Sequence, residues 1–402
     1  IELSTSNDGG GDGGGDSKDA EEEGPLFRLD DVRVISRVRP ANYTGLYSTS
    51  DPLLDSTWYA GAYAARLNMH SSNFGSVLVE RGDRVAIQGD GHPTMAAALS
   101  AFGPESYDLV RMALEKTDSG CPHCRVVDDT IMAYPLYWTM SVENYYWESG
   151  DEIAFQKFVP DIASILDNAS IKFWPDRPNI VWMGWDDRLD DGWCDPCFDE
   201  AHLTFAALLV RAHLDFARAL RGSARADEYE DLARKHATKA DELGHRLKGD
   251  NSTWLEGYGL HSSANVINAA LPSPVETSIL FDREMNDVVK LCSFSSFNQY
   301  WILQGLGNAL KMDHALSSVK LCWGGMIRLG GGCFWETYEP GWEEFVPRGP
   351  GRMPGLPSLC HPWSSGVTRW LTQNHVGLRP LRPGYDYVLA APYVSRRYPQ
   401  IK

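Results

Sequence analysis

Asp51-Pro-Leu-Leu-Asp-Ser-Thr-Trp-Tyr-Ala-Gly-Ala-Tyr-Ala-Ala-Arg-Leu-Asn-Met69 decides the fold class. Asp51 can accept from a free amide of a first helical turn, and Pro52 suits that turn because its missing N–H would have gone unpaired. Leu54, Trp58, Ala62, Ala65 and Met69 then recur at spacings of four, four, three and four, which makes one apolar stripe. Similar patterns predict helices over 93–116, 129–149, 152–167, 199–221, 225–247, 274–290, 294–311, 313–328 and 362–376. Gly150-Asp151 reads as the end of one helix followed at once by the cap of the next, hence a tight hairpin. In 225–247, Tyr229, Leu232, His236, Ala240 and Leu243 share a face. The pattern gives roughly ten to twelve helices with no fixed-period repeat, which disfavours TPR, HEAT or ankyrin arrays. The expected fold is all-α, an (α/α)6 barrel of six helical hairpins with short β segments at both ends.

The flanks differ from this core. Residues 1–24 form a Gly/Asp/Glu tract that cannot bury apolar surface, and Phe27–Val38 alternates like one or two strands. The expected division is a linker with edge strands of a preceding β module over 1–45, the barrel over 46–378, and the start of a C-terminal β module over 379–402. Those modules would belong to the same precursor or to another chain.

Composition excludes several functions. The net charge of −17 argues against a nucleic-acid partner, which needs a basic surface, and against an anionic membrane. No apolar run is long enough for a membrane-spanning helix, and residues 1–24 lack the layout of a signal peptide. Three sequons, at Asn42, Asn168 and Asn251, lean towards secretion. Of eight cysteines, four form the pairs Cys121-Pro-His-Cys124 and Cys194-Asp-Pro-Cys197. They are read as loop disulfides, with one shared zinc as the alternative, because zinc ribbons usually separate such pairs by about 15–20 residues. No metal and no cofactor is expected.

Four loops rich in Gly, Trp and carboxylates could carry chemistry, since rigid scaffolds display functional groups on loops. In 79–93, Asp83 and Asp90 lie among Gly82, Gly89 and Gly91; the plain alternative is a turn that starts the next helix. In 180–193, Trp182, Trp185 and Trp193 accompany Asp186, Asp187, Asp190 and Asp191. Rings there could stack on a sugar while carboxylates accept from its hydroxyls; a buried aromatic cluster or a calcium loop are the alternatives. Gly330-Gly-Gly-Cys-Phe-Trp-Glu-Thr-Tyr338 puts Glu336 beside Trp335, and Ser358-Leu-Cys-His-Pro-Trp-Ser-Ser-Gly366 puts His361 and Trp363 before the last helix. Two carboxylates on separate loops are what glycosidic cleavage needs, one giving a proton and the other activating water or attacking carbon.

These loops, in this order, resemble the catalytic domain of glycoside hydrolase family 78, the α-L-rhamnosidases, over about residues 45–390. Arg81-Gly-Asp-Arg-Val-Ala-Ile-Gln-Gly-Asp90 aligns without a gap to the family's R-D-E-R-x-G-W-T-G-D. Trp335-Glu336 matches its W-E element, and Ser358-Leu-Cys-His361 the His-bearing stretch that follows. The resemblance implies Asp83 as general acid and Glu336 as general base. Asp90, Trp185, Asp186, Trp335, His361 and Trp363 would bind the sugar. It implies a carbohydrate substrate, removal of terminal α-L-rhamnosyl or similar deoxy-sugar residues with inversion, and an extracellular setting. Asp83 is one methylene shorter than the family's Glu, and Ala86-Ile87-Gln88 replaces Gly-Trp-Thr. A polysaccharide lyase or a non-catalytic sugar-binding protein on the same barrel are the alternatives.

Overall fold

A computed structural model describes residues 33, 35, 39–70, 87–117, 133–172, 199–249, 253–292, 295–338, 340 and 358–401. Internal contacts divide the chain into Ile1–Val38 and Arg39–Lys402. Most of the strand-like run at 27–38 lies outside the described residues. Among its described residues the second unit carries thirteen α-helices: α1 (Pro52–Asn68), α2 (Gln88–Phe102), α3 (Pro104–Lys116), α4 (Tyr134–Ser149), α5 (Glu152–Lys172), α6 (Asp199–Gly222), α7 (Ala226–Lys248), α8 (Leu260–Asn268), α9 (Pro274–Leu280), α10 (Val288–Leu291), α11 (Ser296–Asn308), α12 (Met312–Arg328) and α13 (Gly366–Trp370). A 3-10 turn, Pro362–Ser365, leads into α13, and a π turn, Leu371–His375, follows it. Two short antiparallel strands, β1 (Leu378–Pro380) and β2 (Val388–Ala390), pair near the C-terminus.

Burial separates two kinds of helix. α2 buries thirteen of its fifteen residues and α11 eleven of thirteen. By contrast α7 buries Ala233, His236, Ala240, Leu243 and Gly244 on a single stripe among 23 residues. A helix buried all round belongs inside, and a striped one lies on the surface. Contacts run from α2 to α4, α6, α8, α11 and α13, and from α13 back to α2, so six inner helices close a ring. The others pack outside it: α1 against α2, α12 and α13, α3 against α2 and α4, α5 against α4 and α6, α7 against α6. This is the all-α, six-hairpin barrel expected from the sequence.

Local chemistry explains the boundaries. The Asp51 side chain accepts from the Leu53 amide, as its position predicts. Gly150 ends α4 at φ +67, where a side chain would be strained, and Asp151 caps the next helix by accepting from Ala154. The predicted helix over 93–116 is two, because Gly103 adopts φ +47 and Pro104 opens a new helix. The predicted 274–290 helix also divides. A π turn at Phe281–Met285 ends it, and the Asp287 carboxylate then caps α10. α8 was not anticipated: it is only nine residues long, and its buried positions include Ser262, Ser263 and Asn265 as well as Leu260, Ala264 and Ile267.

The end of the barrel formed by the C-termini of the inner helices holds an ion pair between Arg369 and Glu148, both buried. Tyr385 donates to Glu148 Oε1 at 3.1 Å and Tyr107 to its backbone carbonyl at 2.9 Å, tying α3, α4 and α13 to the C-terminal segment. That segment lies on the same unit: Ile401 bridges Thr49, and the Tyr393 amide donates to the His375 carbonyl. A second tie is the disulfide between Cys292 and Cys322, joining the end of α10 to α12. Removing one member of a buried ion pair leaves an uncompensated charge, at a cost of roughly 3–5 kcal/mol. Arg369→Met should therefore lower the urea midpoint markedly. An unchanged midpoint would show that the pair does not hold the ring.

Candidate active site

Two segments meet over the N-terminal end of the inner ring. After α12 the chain turns at Gly330 and Gly331, whose amide returns to Met326, and runs out through Cys333-Phe-Trp-Glu336. The disulfide Cys333–Cys360 fastens this run to the segment that precedes α13. Backbone bonds extend the join: Glu336 donates to the Ser358 carbonyl and His361 to the Phe334 carbonyl, each at 2.8 Å. The Trp363 indole donates to the Glu336 carbonyl at 3.1 Å, and the Ser364 hydroxyl to the Trp335 carbonyl at 2.7 Å. Such closure leaves the Glu336 side chain little choice of direction. Its Oε2 accepts from the Ser358 amide at 2.9 Å, while the carboxylate stays partly open to solvent.

His361 sits between two carboxylates. Its Nε2 is 3.2 Å from Asp90 Oδ2, and its Nδ1 is 3.7 Å from Glu336 Oε2. The second separation is that of an ion pair and too long for a hydrogen bond. The imidazole stacks on Trp363 at 4.2 Å between centroids, and Trp363 stacks on Phe297 at 5.2 Å. Burial alone would favour neutral His361, but its hydrogen bond to Asp90 and the charges of Asp90 and Glu336 outweigh this and raise its pKa above the ordinary value of 6.5. On the far side, Tyr134 donates to Asp90 Oδ1 at 3.0 Å. Burial and the Asp90 charge keep that phenol protonated, hence a donor.

Asp90 lies on the first turn of α2 rather than in a loop ahead of a helix starting at Pro93. There it faces the positive end of the helix, where a carboxylate is favoured. Beneath it, Trp301 stacks with His92 at 4.9 Å and with Tyr137 at 4.7 Å, forming an aromatic floor across the lumen. His92 is driven down to about 3 by burial, so it is a neutral ring that pairs with the Ser141 hydroxyl at 2.9 Å.

Of the residues singled out in the sequence, Asp90, Trp335, Glu336, His361 and Trp363 come together here. Asp83, Trp185 and Asp186 lie outside the described residues, as do the two Cys-x-x-Cys pairs. Sequence reading missed Tyr134 and Phe297. Both stand at the starts of inner helices, and only the closed ring brings them to the site. Among the described residues, no group of three or more His, Cys, Asp or Glu is placed to hold a metal ion, and no helix is long and apolar enough to cross a membrane.

Fold comparison defines the class first: this is a six-hairpin helical barrel. It is the fold of the GH78 α-L-rhamnosidases. A GH78 rhamnosidase of Bacillus sp. GL1 matches at 19% identity and a TM-score of 0.66, over 89% of this chain and 38% of that one. The α-L-rhamnosidase of Aspergillus terreus matches at 18% and 0.69, over 87% and 42%. A Klebsiella oxytoca rhamnosidase with rhamnose bound matches at 17% and 0.58, over 82% and 66%. The chain thus spans about two fifths of the first two proteins' length. No family model matches the sequence, and no curated protein does.

The elevated His361 pKa has a definite sign. A raised folded-state value makes its contacts contribute fully below the unfolded value near 6.5, and the contribution is lost as pH rises through the higher folded value. Following the imidazole resonances by NMR should give a pKa above 6.5 in the native protein and a lower one in Asp90→Asn. A native value below 6.5 would contradict the two-carboxylate environment.

Proposed function

We propose that this chain is the catalytic domain of a secreted glycoside hydrolase that removes terminal α-L-rhamnosyl, or similar deoxy-sugar, residues with inversion. The observation that carries the reading is the Glu336–His361–Asp90 cluster, walled by Trp335 and Trp363 at the open end of a rhamnosidase-like barrel. Glu336 acts as general base: it is held by the Ser358 amide yet remains partly accessible to a water molecule. His361 keeps Nε2 on Asp90 and turns Nδ1 towards Glu336, and so orients the base beside the sugar. Both oxygens of Asp90 are already engaged, by Tyr134 and His361, and it acts by holding His361 in place beside Glu336. Trp335 supplies an apolar wall for a pyranose, while Trp363, buried between His361 and Phe297, backs the His361 ring. Asp83 is the general acid, with Trp185 and Asp186 completing the sugar contacts. An aspartate there needs a closer backbone approach than a glutamate, or one bridging water.

The sequon at Asn42, whose side chain is exposed, and the disulfides Cys292–Cys322 and Cys333–Cys360 support secretion. Flanking β modules, on the same precursor or another chain, would complete the enzyme, as the lengths of the matched rhamnosidases suggest. The substrate is a carbohydrate.

Removal of a general base typically costs 10²–10⁴ in rate. On an aryl α-L-rhamnoside, Glu336→Gln should lower kcat by about that factor, with less effect on KM. Proton NMR of the first product should show the β anomer of rhamnose. Release of an ultraviolet-absorbing unsaturated sugar from a uronic-acid polymer would instead mark a lyase. Equal activity of native and Glu336→Gln proteins would remove Glu336 from the chemistry.

A further inference from the structure

The inner helices converge a second time, at their C-terminal halves, on a polar cavity of about 290 Å³. The aromatic floor of Trp301, His92 and Tyr137 divides it from the Asp90–His361–Glu336 cluster, since His92 lines the cavity while Asp90 and Tyr134 lie above. Four arginines line it: Arg211 and Arg218 from α6, Arg369 from α13, and Arg379 from β1. Arg211 Nε pairs with Asp215 at 3.2 Å, and Arg369 pairs with Glu148. Among the described residues neither Arg218 nor Arg379 has a carboxylate partner. Arg218 lies over the Trp147 ring at 4.4 Å, and Arg379 donates to the Gln373 carbonyl at 2.8 Å and to the Asn374 side chain. An excess of positive charge is thus concentrated in a chain whose net charge is −17.

Three polar atoms of the lining have no hydrogen-bond partner among the described residues: Glu143 Oε1, Arg211 Nη1 and Gln304 Nε2. Glu143 is only 3% exposed. Burial and the charge of Asp215 raise its pKa well above the usual carboxylate range, so it offers a proton. Arg379 is destabilised in its charged form by burial and by the nearby Arg369. One account of the arginines is that they offset the negative ends of the inner helices. It leaves the unpartnered polar atoms of Glu143 and Gln304 unexplained, whereas buried polar groups ordinarily find partners; the Arg211 guanidinium lies over the Trp301 ring at 5.7 Å.

We propose that this cavity is a second binding site, for a small oxyanion such as a carboxylate or phosphate group. Arg218 and Arg379 supply charge, Arg211, Gln304 and protonated Glu143 donate hydrogen bonds, and the volume suits one small molecule, since ligand pockets begin at about 300 Å³. This site is independent of the hydrolase reading above.

Isothermal titration of the full chain with sodium phosphate and with sodium glucuronate, against sodium chloride at equal ionic strength and glucose, tests this. Saturable binding of either oxyanion is expected, weakened about tenfold or more in Arg218→Gln and in Arg379→Gln, since each loses a charge-assisted contact. The two arms separate a phosphate from a sugar-acid ligand. Arg218 is exposed, so its substitution leaves the packing intact, and circular dichroism confirms folding of each variant. Glu336→Gln should bind the anion as the native protein does. No saturable heat beyond chloride for either anion would overturn the proposal. So would undiminished binding in both arginine variants, or loss of binding in Glu336→Gln.

Discussion

The contact between His361 and Asp90 joins groups 271 residues apart, and the rest of the molecule depends on it. Asp90 belongs to the first inner helix and His361 to the segment before the last, so their meeting is the chemical seam of the ring. A seam of two buried titratable groups is stable only if each is satisfied on its other side. Tyr134 satisfies Asp90, and Trp363 with the Glu336 carboxylate completes the surroundings of His361. At the other end, Arg369 and Glu148 make a second seam between the last inner helix and α4. The ring is therefore sealed by polar pairs at both ends and by aromatic rings between them.

Having the candidate site at the N-terminal end of the inner helices has an electrostatic consequence. Helix N-termini carry partial positive charge, which favours carboxylates there and arginines at the opposite end. Asp90 and Glu336 lie at the first end; at the other, Arg218, Arg369 and Arg379 follow the rule only in part, since Glu143, Glu148 and Asp215 lie among them. The disulfide Cys333–Cys360 and the backbone bonds beside it hold Glu336 in place without help from a helix or a regular sheet. Rigidity of that kind is what a group acting on one face of a bound sugar requires.

Much of the barrel was legible in the sequence because its outer helices carry a true 3.6-residue stripe, as α1 and α7 do. Inner helices hide their period. α8 is short and mixes polar with apolar residues at its buried positions, which masked it, and α11 is buried almost all round, so spacing could not say that it lines the lumen. Breaks at Gly103 and Phe281 depend on backbone conformation, which composition registers only weakly. Glu336, His361 and Asp90 could be picked out from their motifs, but their mutual distances arise from ring closure alone. Tyr134 and Phe297 carried no signal of their own, being ordinary aromatic residues until α4 and α11 turn their first turns to the same opening. The second cavity was wholly silent in sequence, because its arginines come from α6, α13 and β1.

The most direct test is a crystal structure of the chain soaked with L-rhamnose. The account predicts the sugar beside Glu336 and Trp335, its anomeric carbon between Glu336 and Asp83, with the two carboxyl groups about 6.5–9.5 Å apart. Rhamnose bound elsewhere, or carboxyl groups at opposite ends of the barrel, would contradict it.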